Sequence, residues 1–133
     1  MSTANNYEPA RLPEDLGRLF LERANAGDVE GVVALYEPHA VLVGRPPAQA
    51  VIGSAAIRAF YTELLAGGPT LTGEVRPSIK VTGLALTSTH YERTLVDQDG
   101  QTITETRATA EVARRQPDGS WRWVVDQPDV LAR

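Results

Sequence analysis

Apolar residues recur at helical spacing through the first half of this chain and at every second position through the second half. Leu12, Leu16, Leu19, Phe20 and Ala24 share one face of a helix that opens at Pro13, with Glu14 and Asp15 at its positive end. Gly27 stops this helix, and Asp28 caps the next by accepting a backbone N–H. Val29, Val32, Val33 and Tyr36 repeat the pattern, which puts Tyr36 on the inner stripe of a second helix ended by Pro38. Ala40–Val43 reads as a short buried strand, and the prolines of Gly44–Ala48 cannot continue it. Ser54 caps a third helix with the stripe Ile57, Phe60, Tyr61, Leu64 and Leu65, closed by Gly67-Gly68-Pro69.

From residue 70 the period becomes two. Leu71, Val75, Ile79 and Val81 alternate with polar residues, and Pro77 marks an edge or a bulge in that strand. Leu84–Val96, Gln101–Arg115 and Trp121–Gln127 follow, separated by the turns Asp97–Gly100 and Pro117–Gly119. Four sequential strands form an antiparallel meander, and strands this long coil. The expected fold is therefore α+β: a curved antiparallel sheet, a four-strand meander plus the short first strand, wrapped over three N-terminal helices around a pocket. Residues 1–11 read as a flexible N-terminal segment, 12–128 as one domain and 129–133 as a tail.

Composition narrows the function classes. The 133 residues include no cysteine, which excludes disulfides and thiolate metal sites. The two histidines, His39 and His90, lie far apart, so no metal and no cofactor is expected. No apolar run is long enough to span a membrane, and the first residues lack a basic, then apolar, leader, so the expected location is cytoplasmic. The net charge is −4 with acids and bases interspersed, too narrow a positive footprint for nucleic acid.

Three segments carry a family resemblance: Asn25-Ala26-Gly27-Asp28, Ile52–Tyr61 and Arg114–Asp126. With them the chain resembles the nuclear transport factor 2-like, or SnoaL-like, superfamily over about residues 12 to 128. Within it the chain is most similar to small bacterial domains of unknown function related to the calcium/calmodulin-dependent kinase association domain. The resemblance implies a cone-shaped α+β barrel, commonly a homodimer through the outer sheet face. It also implies a range of activities: isomerases, dehydratases, cyclases, hydrolases and members without known chemistry. At the positions matching the ketosteroid isomerase pattern this chain has Phe20 for the tyrosine and Gly44 for the base, and only Glu111 falls near the protonated acid. That machinery is therefore not expected to operate here.

Strand parity selects the remaining candidates. Glu105, Arg107, Thr109 and Glu111 share one face, open to the pocket or to solvent. Thr106, Ala108, Ala110 and Val112 share the other, a small apolar face suited to a dimer contact. His90 and Glu92 lie together on the neighbouring strand, as an acid–base pair or a structural histidine. Asp126 interrupts the apolar run Trp123-Val124-Val125, and a buried acid needs a partner, which Arg107 or His90 would supply. Asp126, His90 and Glu111 are the candidate catalytic residues; Arg107, Tyr61, Tyr36, Glu92 and Val124 are the candidate substrate-binding ones. Two functions stand on this reading. One is a pocket protein with acid–base chemistry on an apolar small molecule. The other is a non-catalytic homodimerisation or protein-association module.

Overall fold

The computed structural model describes residues 7–44 and 50–131; residues 45–48 of the expected proline loop lie outside them. Helix α1, Pro13–Asn25, begins where Asp15 accepts the N–H groups of Arg11 and Leu12 at 3.1 and 3.0 Å. Gly27 turns the chain at φ +69°, and Asp28 caps α2, Val29–Val33, through the N–H of Gly31 at 3.0 Å. The second helix is shorter than its apolar stripe suggests. Tyr36 opens strand β1, Tyr36–Val43, which contains Pro38. The carbonyl of Leu35 accepts the N–H of Trp123 at 2.8 Å, so sheet pairing captures the backbone one residue earlier. Tyr36 is still buried, reached from a strand rather than from a helix. After β2, Ala50–Ile52, helix α3 spans Ser54–Leu64. Gly53 holds the capping position, and Ser54 is the first helical residue with no capping bond from its side chain.

The remaining strands are β3 Thr70–Val75, β4 Ile79–Val81, β5 Leu84–Thr87, β6 Thr89–Val96, β7 Thr102–Ala108, β8 Ala110–Arg115 and β9 Trp121–Gln127. The first three long strands read from sequence are each broken once, at 76–78, at Ser88 and at Thr109. The breaks meet at one corner. There the Ser88 hydroxyl donates to the Thr109 carbonyl at 2.7 Å, and the Thr109 hydroxyl accepts the N–H of Thr89 at 2.9 Å. Hydroxyls thus take over ladder bonds that the bend removes. The corner divides the strands into a sheet ordered β2-β1-β9-β8-β5-β4 and a sheet ordered β3-β6-β7. Pairing is antiparallel among the described residues except between β1 and β9, which run parallel.

Helix α1 crosses this corner at Gly17. A Cβ there would meet Thr89 Oγ1 at 2.6 Å and a Val75 methyl at 2.8 Å, so the helix backbone comes close to the sheet only as glycine. Leu16, Leu19, Phe20, Val32, Leu42, Ile57, Tyr61 and Trp123 fill the hollow. Each such side chain is worth roughly 1.5–3 kcal/mol of burial. The curved sheet over helices is the expected α+β fold.

Residues 7–11, read as part of a flexible segment, are tied to the domain at three points while Glu8, Pro9 and Arg11 stay exposed. Ala10 bridges Trp121, the Tyr7 hydroxyl donates to Asp28 at 2.8 Å, and Arg23 reaches the carbonyl of Glu8 at 2.6 Å. Among the described residues no helix is long and apolar enough to cross a membrane.

Candidate functional site

A bulge in β9 places the central acid. Trp123 pairs with Ala113 and Val125 with Val112, so Val124 is an extra residue between them. Simple alternation would set Asp126 on the face opposite Trp121 and Trp123. With the bulge, Trp123 and Asp126 both point inward and Val125 points out. Val124, expected in the pocket wall, stands half-buried in the bulge and does not share the inward position of Asp126.

Register then aligns an inner row. Asp126 lies opposite Glu111 on β8, and Glu111 lies opposite Thr87 on β5. Asp126 and Glu111 are 2% and 3% exposed, and among the described residues neither is ion-paired. The Tyr36 hydroxyl donates to Asp126 Oδ2, which the Tyr61 hydroxyl also approaches at 3.5 Å; the two hydroxyls are 2.6 Å apart. Asp126 Oδ1 is buried with no hydrogen-bond partner among the described residues. On the other side Trp123 Nε1–H donates to Thr87 Oγ1 at 3.0 Å, and Thr87 donates to Glu111 Oε1 at 2.8 Å. Phe20 packs its ring against Tyr61, Tyr91 and Trp123 at centroid distances of 6.0, 5.8 and 6.2 Å.

Burial without a cation dominates the titration of these groups. It raises the Asp126 carboxyl to about 7, against the pull of the Tyr36 and Tyr61 hydrogen bonds. Burial, and then the neighbouring Asp126 charge, raise Glu111 to about 8, while hydrogen bonds from Thr109 and Thr87 draw it down. Tyr36 and Tyr61 are held well above the usual phenol range by burial and by Asp126, so both stay protonated donors. Burial also lifts Tyr91, with Arg107 opposing. Two neighbouring carboxyls that titrate near neutrality can hold one proton between them, which is the requirement for an acid and a base in one site.

The structure thus brings Asp126, Glu111, Tyr36 and Tyr61 together. Arg107 does not pair with Asp126. It is buried on β7, opposite Tyr91, with Nη2 on Glu105 at 3.1 Å. His90 and Glu92 do not join the site. They alternate with buried Thr89, Tyr91 and Arg93 on β6, so both face solvent on the outer side of the smaller sheet. The partners foreseen for Asp126, an arginine or a histidine, are replaced by two tyrosines. Thr87 and Arg93 were missed by sequence reasoning; Arg93 has the parity of Tyr91, a signal that was available. Among the described residues no cluster of three histidine, aspartate or glutamate side chains is placed to hold a metal ion. A cleft of about 320 Å³ opens elsewhere, between the N-terminal segment and the β8–β9 turn, lined by Arg11, Arg23, Leu35, Trp121 and Arg122 among others.

A sequence profile of the SnoaL-like domain matches residues 18–125. No curated protein matches the chain in sequence. Among solved structures it is similar to a ketosteroid isomerase-like protein from Erwinia carotovora atroseptica, with TM-score 0.76, 20% identity, and 86% of this chain and 89% of that one covered. It is similar to a proposed calcium/calmodulin-dependent protein kinase type II association domain from Thiobacillus denitrificans, with TM-score 0.73, 19% identity and coverage of 91% and 96%. A proposed dehydratase of the nuclear transport factor 2-like family from Streptomyces avermitilis gives TM-score 0.70, 17% identity and coverage of 88% and 93%. At these identities the likeness is one of fold.

Proposed function

This chain belongs to the SnoaL-like family, and from that premise we propose that it encloses a small, largely apolar molecule and moves protons on it. The observation that carries this reading is the Asp126–Glu111 pair, two carboxyls opposed on adjacent strands, buried, and without a cation among the described residues. Such a pair is costly to a fold and useful to a proton-transfer site. Tyr36 and Tyr61 engage Oδ2 of Asp126, which leaves Oδ1 as the atom to take a proton. Glu111, titrating at about 8, keeps a proton to give. A hydrogen on carbon beside a carbonyl is the simplest target: Asp126 removes it, the electron pair moves onto the carbonyl oxygen, and Glu111 returns a proton to that oxygen or to a second carbon. Isomerase-type and dehydratase-type reactions share this step, and two of the similar structures carry those names. The aromatic wall of Phe20, Tyr91 and Trp123 suits an apolar body.

The test is hydrogen–deuterium exchange of small apolar ketones in heavy water, followed by proton NMR. Wild-type protein will catalyse exchange beside the carbonyl, and Asp126→Asn will slow it by about a thousandfold or more while melting no lower than wild type near neutral pH. Absence of exchange across the ketone series, or full exchange by the variant, would end the catalytic reading.

A second reading, self-association, rests on a separate observation. On the outer face of the larger sheet, Ile52, Val41, Val125, Val112, Leu86 and Ile79 are paired in one register row across all six strands. Ile52, Leu86, Val125 and Ile79 in this row are exposed. The apolar face expected from Thr106, Ala108, Ala110 and Val112 is not continuous, because the strand breaks at Thr109 and Ala108 is buried; only Val112 belongs to the row. A second copy of the chain meeting this row would cover it. Leu86→Asp will then convert a dimer to a monomer in sedimentation velocity, and an unchanged sedimentation coefficient would exclude this face as the contact. The two readings are compatible, since the row and the carboxyl pair lie on opposite faces of one sheet.

A further inference from the structure

Two arginines on the inner face of the smaller sheet are built more expensively than a structural role requires. Arg93 on β6 and Arg107 on β7 are 9% and 4% exposed. One carboxylate serves both: Glu105 accepts from Arg93 Nη1 at 3.0 Å and from Arg107 Nη2 at 3.1 Å. Arg93 Nη2 also donates to the carbonyl of Leu64, the last residue of α3, at 2.6 Å. The Nε–H of each guanidinium is buried with no acceptor among the described residues. A charged donor left unsatisfied in the interior is destabilising, and an arginine fork is matched by a carboxylate.

The chain already brings one carboxylate to this place. Asp129, in the segment that follows β9, sets Oδ2 at 3.9 Å from Arg107 Nη1, within reach of attraction but too long for a hydrogen bond. That segment is fixed to β7 by the N–H of Val130 on the carbonyl of Ala108 at 2.7 Å. Asp129 Oδ1 accepts the N–H of Leu131 at 3.1 Å, so this carboxylate is held by its own segment and engages the deeply buried cation only loosely. From Arg107 the interior continues to Tyr91, its cross-strand neighbour, and on through Phe20 to Tyr61 and Trp123.

We infer that Arg107 and Arg93 recognise the carboxylate of a small aromatic acid, and that Asp129 keeps the place of that carboxylate until the ligand displaces it. The acid end sits at the arginines and the ring lies along Phe20 and Tyr91. This rests on the proposed pocket and specifies its ligand as an organic acid.

The experiment titrates the whole chain with matched pairs: benzoate, phenylacetate and 3-phenylpropionate, each against its neutral amide, by ligand-observed NMR and thermal shift near neutral pH. At least one acid will bind saturably and more tightly than its amide by about tenfold or more. Asp129→Asn, a change outside the core, will tighten that acid by about fivefold by removing the competitor. Arg107→Gln will erase the preference for acid over amide. Equal binding of acid and amide, or an acid affinity that Asp129→Asn leaves unchanged, overturns the inference and leaves the pocket reading standing. Failure of every acid and every amide to bind overturns both.

Discussion

Thermal stability will be greatest near about pH 5 and will fall by on the order of 10 °C toward about pH 9, and the double substitution Asp126→Asn, Glu111→Gln will remove most of that fall. The sign follows from the direction of the two shifts. Burial without a cation raises Asp126 to about 7 and Glu111 to about 8. In the unfolded chain both titrate near about 4. Between those limits the folded state holds more protons than the unfolded state, so stability is fully present below about pH 4 for these groups and is lost as pH rises through their folded values. Exposed pairs act oppositely: Arg58 lowers Glu30 and Arg114 lowers Glu37, so their contribution is lost on acidification. Their partial exposure keeps that contribution small. The maximum therefore lies just above the ordinary carboxylate range. Melting curves in a series of buffers at constant ionic strength measure this. A profile level from about pH 5 to about pH 9, or an alkaline fall that the double variant retains, would show that burial does not hold the pair's titration near neutrality as described.

The same pair shows what the chain discloses in one dimension. Helix stripes, turn glycines and the change of period at residue 70 are local signals, and the fold follows from them. Asp126 could be singled out because an acid inside an apolar run is a local anomaly, and Glu111 because it shares a strand face with Arg107 and falls near the acid position that the family resemblance implies. Their company could not be foreseen. Tyr36 reaches Asp126 across 90 residues of sequence, and Tyr61 across 65, because the parallel β1–β9 pairing and helix α3 bring them there. Parity, the one tool for deciding which strand residues meet, fails at irregularities. The bulge at Val124 moves Asp126 to the face of Trp123, and the corner at Ser88 and Thr109 ends the continuous apolar face assumed for Thr106, Ala108, Ala110 and Val112. Phe20 argued against a tyrosine–acid arrangement at that position; the hydroxyls come instead from a strand and a helix that carry them to the same interior.

Trp123→Ala will destabilise the chain by about 3–5 kcal/mol, the largest loss expected from a single side chain here. Trp123 is the largest fully buried side chain, and its ring meets Tyr36 at 5.2 Å and Phe20 at 6.2 Å between centroids. Removing it leaves a cavity between α1 and β9 that helix and sheet cannot both collapse into, because α1 is already pinned at Gly17 against the corner. Trp123→Phe separates packing from polarity. It keeps most of the ring volume but takes the Nε1–H donor from Thr87 Oγ1, the group that in turn donates to Glu111. A loss of about 1–2 kcal/mol is expected from that buried acceptor. Urea denaturation followed by circular dichroism gives both numbers without relying on the fluorescence of the residue removed. If Trp123→Phe costs as much as Trp123→Ala, the hydrogen-bond chain from β9 through β5 to Glu111 outweighs the packing. If Trp123→Ala costs less than about 1 kcal/mol, the bulge at Val124 does not turn this ring into the core, and Asp126, placed by the same bulge, would not be inside either.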